Sequence, residues 1–202
     1  MTRIKFCGLS RLCDIDAANG LKPEYIGFVF ASKSKRYVNP EKAAELRRCL
    51  SPGIQAVGVF VNEKPGIIAA LLNNGVIDIA QLHGDETEAY IRQLRQLTDR
   101  PLIQAFRMET AEDLAEAEQS TADCILLDSG AGTGRVFDWD LLRNVRRPYF
   151  LAGGLSPDNA EDAVNRLHPF AVDVSSGIET DGVKDRTKMA VFAAAVRKGD
   201  RV

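Results

Sequence analysis

No uninterrupted apolar stretch in these 202 residues approaches the roughly 20 needed to cross a bilayer. The segment before Cys7 does not read as a signal peptide, because Arg3 and Lys5 break its apolar run. A membrane-embedded or exported protein is therefore not expected. Cysteine is scarce: the four thiols (Cys7, Cys13, Cys49, Cys124) form no CxxC pair and have no histidine at metal-ligand spacing. That spacing argues against a zinc module or a disulfide framework, and reduced thiols in a cytoplasm are the simplest expectation. An excess of charge of one sign is lacking too, with a formal net charge of −2. A general nucleic-acid binder would show a basic footprint instead. Any anionic ligand has to be held by local groups, not by a global field. Low-complexity tracts, linkers and obvious repeats are also missing.

What is present is an ordinary globular composition, 45% apolar with charges of both signs. One domain spanning residues 1–202 is expected. Eight short runs rich in β-branched and aromatic residues recur along the chain. They are "RIKFC" (3–7), "YIGFVF" (25–30), "QAVGVF" (55–60), "IDIAQLH" (77–83), "PLIQAF" (101–106), "DCILLD" (123–128), "PYFLAG" (148–153) and "FAVDVS" (170–175). Nearly continuous apolar interiors are the mark of parallel strands covered on both faces.

Helical patterns lie between them. Asn39 and Pro40 open "NPEKAAELRRCL" (39–50) as cap and first helical residue. "ETEAYIRQLRQL" (86–97) sets Tyr90, Ile91, Leu94 and Leu97 along one stripe. Thr110 and Asp113 form a capping box at the start of 110–119. "SPDNAEDAVNRL" (156–167) repeats the cap-then-proline opening, and 185–198 supplies a last helix. Strands alternating with helices eight times predict an α/β fold, a single-domain (β/α)8 TIM barrel with short connecting loops. An open doubly wound sheet is the alternative. Neither GxGxxG nor GxxxxGK[ST] follows the first strand to support it.

In such a barrel the functional residues sit at the C-terminal ends of strands and in the loops that follow. Strands one, four and six end on Cys7, His83 and Asp128, so a thiol, an imidazole and a carboxyl are expected at one mouth. Each alone has a structural explanation; their coincidence at one face is the signal. "AGGLSPDN" after strand seven and "VSSGIETDG" after strand eight place Gly154, Ser176 and Gly177 where barrels hold phosphate. The plain alternative is that these glycines only make tight turns, as Asp181-Gly182 is expected to do. "ASKSKRYV" (31–38) is either a solvated loop or an anion clamp. In the second case Arg36 is the residue whose planar fork suits a carboxylate, with Lys33 and Lys35 solvated.

Cys7 is expected at the rim, with Gly8 opening the turn. A free thiol near pKa 8.5 is only a few per cent thiolate at neutral pH, so a catalytic role calls for a local depression. Anion-binding dipoles and Arg36 are the expected source. A nucleophile would want His83 as its base; a proton acceptor would face an acid instead. Cys13, Cys49 and Cys124 are expected to be packing residues.

Taken together the motifs resemble the phosphoribosylanthranilate isomerase family of tryptophan biosynthesis. The resemblance runs the length of the chain. It rests on "KFCG" (5–8), "GFVFASKSKRYV" (27–38), "VGVFVN" (57–62), "QLHGDE" (81–86), "LLDSGAGTGRVFDW" (127–139), "LAGGLSPDN" (151–159) and "VDVSSGIETDGVKD" (172–185). Phe6, Gln104 and Ala131 depart from the usual pattern, and Gln104 bears on any ligand contact made by the fifth strand.

The resemblance implies an Amadori rearrangement of N-(5-phosphoribosyl)anthranilate with Asp128 as acid and Cys7 as base. A carboxyl near pKa 3.9 in water is a poor donor at neutral pH, so partial burial is expected to raise Asp128. It further implies that Arg36 grips the anthranilate carboxylate and that Gly154, Ser176 and Gly177 hold the phosphate. His83 lines the mouth, and the 130–139 segment borders it with Phe137 and Trp139 beneath. No cofactor or metal is required. The partner is a small phosphosugar, with no nucleic acid and no membrane, and the chain is expected to be a stand-alone monomer or homodimer. Two rivals remain. A histidine-pathway aldose–ketose isomerase would need a second phosphate site across the mouth. A catalytically idle phosphoribosyl binder would need neither Cys7 nor Asp128.

Overall fold

The computed structural model describes residues 1–128, 139–142 and 145–200. All eight apolar runs are strands. They are β1 (Arg3–Cys7), β2 (Tyr25–Val29), β3 (Gln55–Phe60), β4 (Ile79–Leu82), β5 (Leu102–Arg107), β6 (Cys124–Asp128), β7 (Tyr149–Ala152) and β8 (Ala171–Val174). Each pairs in parallel with its neighbour in sequence, and β8 pairs with β1 to close the barrel.

The two-residue period of a strand gives every position a side. Ile4 and Phe6 of β1, Ile26 and Phe28 of β2, Leu151 of β7 and Val172 of β8 belong to the large outer core under the helices. Tyr25, Val57, Ile79, Ile103, Leu126 and Phe150 form a separate cluster inside the barrel. Aromatic rings plug its lower end: Phe150 meets Tyr25 and Phe170 edge-on at 5.3 and 5.7 Å, and the Arg3 guanidinium lies 4.1 Å from the Phe170 centroid. Cys7, Val29 and Val59 form a third cluster at the other end. Among the described residues the interior is thus packed below and opens at the C-terminal mouth.

Seven helices cover the barrel among the described residues: α1 (Leu12–Leu21), α2 (Pro40–Arg48), α3 (Pro65–Asn73), α4 (Glu88–Arg95), α5 (Ala111–Gln119), α6 (Ala160–Leu167) and α7 (Arg186–Gly199). Asn39 Oδ1 accepts from the Lys42 N–H at 2.8 Å, and Thr110 and Asp113 close their capping box. The helices α1 and α3 have Arg11 and Lys64 at their N-caps, neither of them a usual capping residue, so Pro65 at the first position of α3 is the plainest start signal of the two. A short 3-10 turn, Trp139–Leu142, precedes β7. No helix of the described residues is long and apolar enough to cross a membrane.

Three expectations need correction. The 156–167 helix starts at Ala160, because Ser156–Asn159 is a turn that belongs to the β7 loop. Leu97 falls beyond the end of α4 and is 48% exposed, so the stripe is Ile91 and Leu94 with Tyr90 partly buried. Cys13 and Cys49 are exposed and Cys124 half-buried, so only the last contributes to packing. The stripe correction is testable. Leu94→Ala should destabilise by about 2–5 kcal/mol and Leu97→Ala by less than about 0.5 kcal/mol. Denaturant unfolding of the two variants decides it.

Candidate active site

At the mouth lies a cavity of about 360 Å³, within the range of small-molecule sites. Cys7, His83 and Asp128 reach it from inward positions at the ends of β1, β4 and β6. Arg36 borders it from the β2 loop, Gly154 from the β7 loop and Ser176 from the β8 loop. Of the residues expected in the site, only Gly177 does not line it. Its lack of a Cβ serves another purpose, since a side chain there would strike the Leu155 carbonyl. Gly177 therefore lets the β7 and β8 loops touch, and the two form one wall.

That wall is shaped by left-handed turns at Gly153 (φ 86°) and Gly154 (φ 63°). Asn159 holds it: its Oδ1 accepts from the Ser156 N–H at 2.8 Å and its Nδ2 donates to the Gly154 carbonyl at 3.0 Å. After Ser176–Ile178 the chain makes a small hairpin, Glu179–Thr180 with Val183–Lys184, turning at Asp181 and Gly182, both with positive φ.

His83 and Asp128 face each other, His83 Nε2 lying 3.6 Å from Asp128 Oδ2. Gln81, two residues earlier on the same inward face, approaches His83 Nδ1 at 2.8 Å with its Nε2. With the Gln81 amide donating to Nδ1, the neutral imidazole carries its proton on Nε2, on the side of Asp128. Asp128 itself is partly buried, its side chain 28% exposed.

Gly8, just past Cys7, sits at φ 79°, and a Cβ there would collide with the aliphatic stem of Arg36. The Cys-Gly pair therefore turns the chain out of β1 and gives Arg36 its place over the mouth. Arg36 is half-buried and held from behind: Nε and Nη2 donate to the two Glu179 oxygens at 2.6 and 2.7 Å. Its Nη1 makes no hydrogen bond among the described residues. Lys184, buried, donates to the same carboxylate at 2.5 Å and to the Ser175 carbonyl at 2.9 Å. Lys33 and Lys35 are exposed, as expected.

The expected depression of the Cys7 thiol does not hold. Burial pushes it up from the ordinary thiol range, and the partial relief comes from Lys5, with Lys184 a lesser contributor. The reason is position: Cys7 is only 8% exposed, and Arg36 has already given its charge to Glu179. Lys5, fully buried two residues before Cys7, donates to Asp173 Oδ1 at 2.9 Å.

Gln104 lies on the outward face of β5. It donates to the Glu86 carbonyl at 2.8 Å and accepts from the Ser120 hydroxyl at 2.5 Å, so this departure does not touch the mouth. Phe6 also faces outward, 6.4 Å from Phe192. Ala131 and Phe137 lie outside the described residues; Trp139 is partly buried, 5.2 Å under the Arg166 guanidinium. Among the described residues no cluster of His, Cys, Asp or Glu is placed to hold a metal ion. The sequence reading missed Lys5, Gln81, Asp173, Glu179, Lys184 and Asn159. The first three had a signal: polar residues at inward positions of otherwise apolar strands.

Glu179 makes the wall pH-sensitive. Burial pushes its carboxyl up, but the hydrogen bonds from Arg36 and Lys184 outweigh burial and hold it below the ordinary glutamate range. A carboxyl depressed in the folded state stabilises the fold above its unfolded pKa of about 4.3, and that contribution fades as pH falls through the folded value. Glu179→Gln should therefore lower Tm at pH 7, and its gap from wild type should close as the pH drops below about 4. Thermal unfolding across that range checks it; a gap unchanged down to pH 3 would contradict the assignment.

Comparison with known proteins agrees with this geometry. Residues 4–195 match the family model described as N-(5'phosphoribosyl)anthranilate (PRA) isomerase. An N-(5'-phosphoribosyl)anthranilate isomerase of Endomicrobium trichonymphae is 44% identical over 194 residues, covering 94% of this chain and 95% of its own. The crystal structure of phosphoribosyl anthranilate isomerase from Thermotoga maritima superposes with a TM-score of 0.90 at 36% identity, over 98% of this chain and 99% of that one. A second solved isomerase, in complex with reduced 1-(o-carboxyphenylamino)-1-deoxyribulose 5-phosphate, gives 0.87 at 35% identity over 98% and 99%. The chain belongs to the N-(5'-phosphoribosyl)anthranilate isomerase family.

Proposed function

We propose that this chain, acting as one catalytic unit, converts N-(5-phosphoribosyl)anthranilate to 1-(2-carboxyphenylamino)-1-deoxyribulose 5-phosphate, with Asp128 as acid and Cys7 as base. The observation that carries the reading is the convergence of a thiol and a carboxyl, from β1 and β6, on one cavity walled by the β7 and β8 loops. A related isomerase of this fold has been solved with the reduced product in complex, which supports a phosphosugar ligand here. The four free thiols fit a reducing cytoplasm. Every residue used comes from one chain, so the chemistry suits a monomer or a homodimer equally.

Asp128 gives its proton to the ribose ring oxygen as the C1′–O bond breaks and the anthranilate nitrogen lone pair forms the iminium. The carboxylate left behind keeps the His83 Nε2–H as its neighbour. Cys7, as thiolate, then takes the proton from C2′, and the C–H electron pair neutralises the iminium to an enolamine. Cys7 returns its proton to C1′ while the 2′-hydroxyl proton passes to the Asp128 carboxylate as the carbonyl forms, which gives the aminoketone and restores both groups. The iminium is a cation created beside the sulfur, which favours the thiolate at the moment it is needed. Arg36, fixed by Glu179, offers Nη1 to the anthranilate carboxylate. Gly154, Ser176 and neighbouring backbone of the β7–β8 wall hold the phosphate, with Gly177 keeping the two loops together.

A bis-phosphorylated substrate of the histidine-pathway kind fits poorly. Across the mouth, Glu86 accepts from the Asn62 N–H at 2.6 Å and the Gly84 N–H at 2.7 Å. A carboxylate already occupies the backbone donors a second phosphate would want. An idle binder would have no use for the thiol and carboxyl together.

The test is an assay in which phosphoribosylanthranilate is generated in situ and its fluorescence loss followed. Wild type should be active; Cys7→Ala and Asp128→Asn should each lose roughly 10²–10⁴-fold in kcat. Both should still bind the reduced product within a few-fold of wild type, and Cys49→Ala should be unaffected. A well-folded wild type without activity would overturn the reading, and an active Cys7→Ala would return that thiol to packing.

A further inference from the structure

We propose that Lys5 is the counter-charge of the Cys7 thiolate, a positioning residue that holds the base in working form from beneath the active site. The inference rests on the isomerase reading and deepens it. Lys5 and Cys7 are two apart on β1, so both point into the barrel. Gly27 on β2 pairs with Cys7, and a Cβ there would stand 2.9 Å from the Cys7 sulfur and 3.3 Å from Lys5 Nζ. The two polar groups therefore converge on the space a glycine leaves empty. Lys5 donates to Asp173 Oδ1 at 2.9 Å, and its ammonium borders the same gap at Gly27 as the Cys7 sulfur.

An ammonium in the middle of a barrel is expensive, and a buried Lys–Asp pair is weak evidence of stabilisation because apolar residues of similar volume often do as well. A demand from the third partner accounts for its presence. The other charged groups at the mouth have partners of their own. Arg36 and Lys184 both bind Glu179, and Lys184 also binds the Ser175 carbonyl. Asp128 and His83 face one another at the ends of β6 and β4. Asp173, from β8, opposes the thiolate but keeps Lys5 charged. The directions agree with this geometry: burial pushes the thiol up and Lys5 draws it back, while Lys5 stays raised despite its own burial through Asp173 and Cys7.

The experiment uses the full chain with Cys13→Ser, Cys49→Ser and Cys124→Ala, leaving Cys7 as the sole thiol. The rate of iodoacetamide alkylation is followed against pH, alongside the pH profile of kcat and KM. Lys5→Met should move the alkylation midpoint up by about one pH unit and slow alkylation near neutral pH about tenfold. Its kcat should fall with KM little changed, and the acid limb of the profile should move with the midpoint. Because Lys5→Met strands the Asp173 carboxylate, Lys5→Met/Asp173→Leu is measured as well; it should shift in the same direction, by less. A purely structural Lys5 would lower Tm in these variants and leave the alkylation profile superimposable on wild type, which overturns the proposal. An inactive wild type whose thiol still responds to Lys5 would instead overturn the isomerase reading and support the pairing.

Discussion

A closed parallel barrel gives each strand one face toward the helices and one toward a narrow interior, and the site depends on that division. Lys5 and Cys7 on β1, Gln81 and His83 at β4, Asp128 on β6, and Asp173 and Ser175 at β8 all fall on the inward face. Their outward neighbours, Phe6, Leu82, Leu127 and Val174, are core residues. A one-residue slip in any strand would exchange the two sets. Aromatic packing around Phe150 seals the lower end, so polar groups that enter the barrel can be served only from the mouth.

Charge is handled locally, in keeping with a chain whose net charge is close to neutral. Two ion-pair systems divide the work. Lys5 and Asp173 form a buried pair below the thiol. Arg36, Glu179 and Lys184 form a second system at the rim, one carboxylate shared by two cations. The second leaves excess positive charge where a carboxylate-bearing ligand would dock; in the first, Asp173 offsets part of the Lys5 charge and the remainder opposes the cost of burying a Cys7 thiolate.

Much of this was legible in the sequence, for identifiable reasons. The strands are apolar on both faces and stand out as continuous runs, and α2 and α5 carry side-chain caps that announce their starts. Cys7, His83 and Asp128 could be found because polar residues at strand ends have one natural place in this fold. What could not be read depended on distance in space. Glu179 reaches Arg36 across 143 residues of chain, and nothing local marks the pair. Lys5 was visible only as a break in an apolar run, though its spacing from Cys7 placed both on one face. The sign of the Cys7 shift required knowing its burial and that Arg36 was already engaged. The Ser156-Pro157 opening misled because Asn159 ties that turn into the wall instead of starting a helix there.

The central claim is that the Cys7 sulfur removes the C2′ proton, and substrate deuterated at C2′ tests it most directly. Single-turnover rates would be compared for wild type and Cys7→Ser, with protiated and deuterated substrate. The account predicts a primary isotope effect in wild type, and a serine variant slower by at least about a hundredfold with the effect fully expressed. A serine variant turning over at the wild-type rate with an unchanged isotope effect would contradict it, and would move the base to another residue of the same cavity.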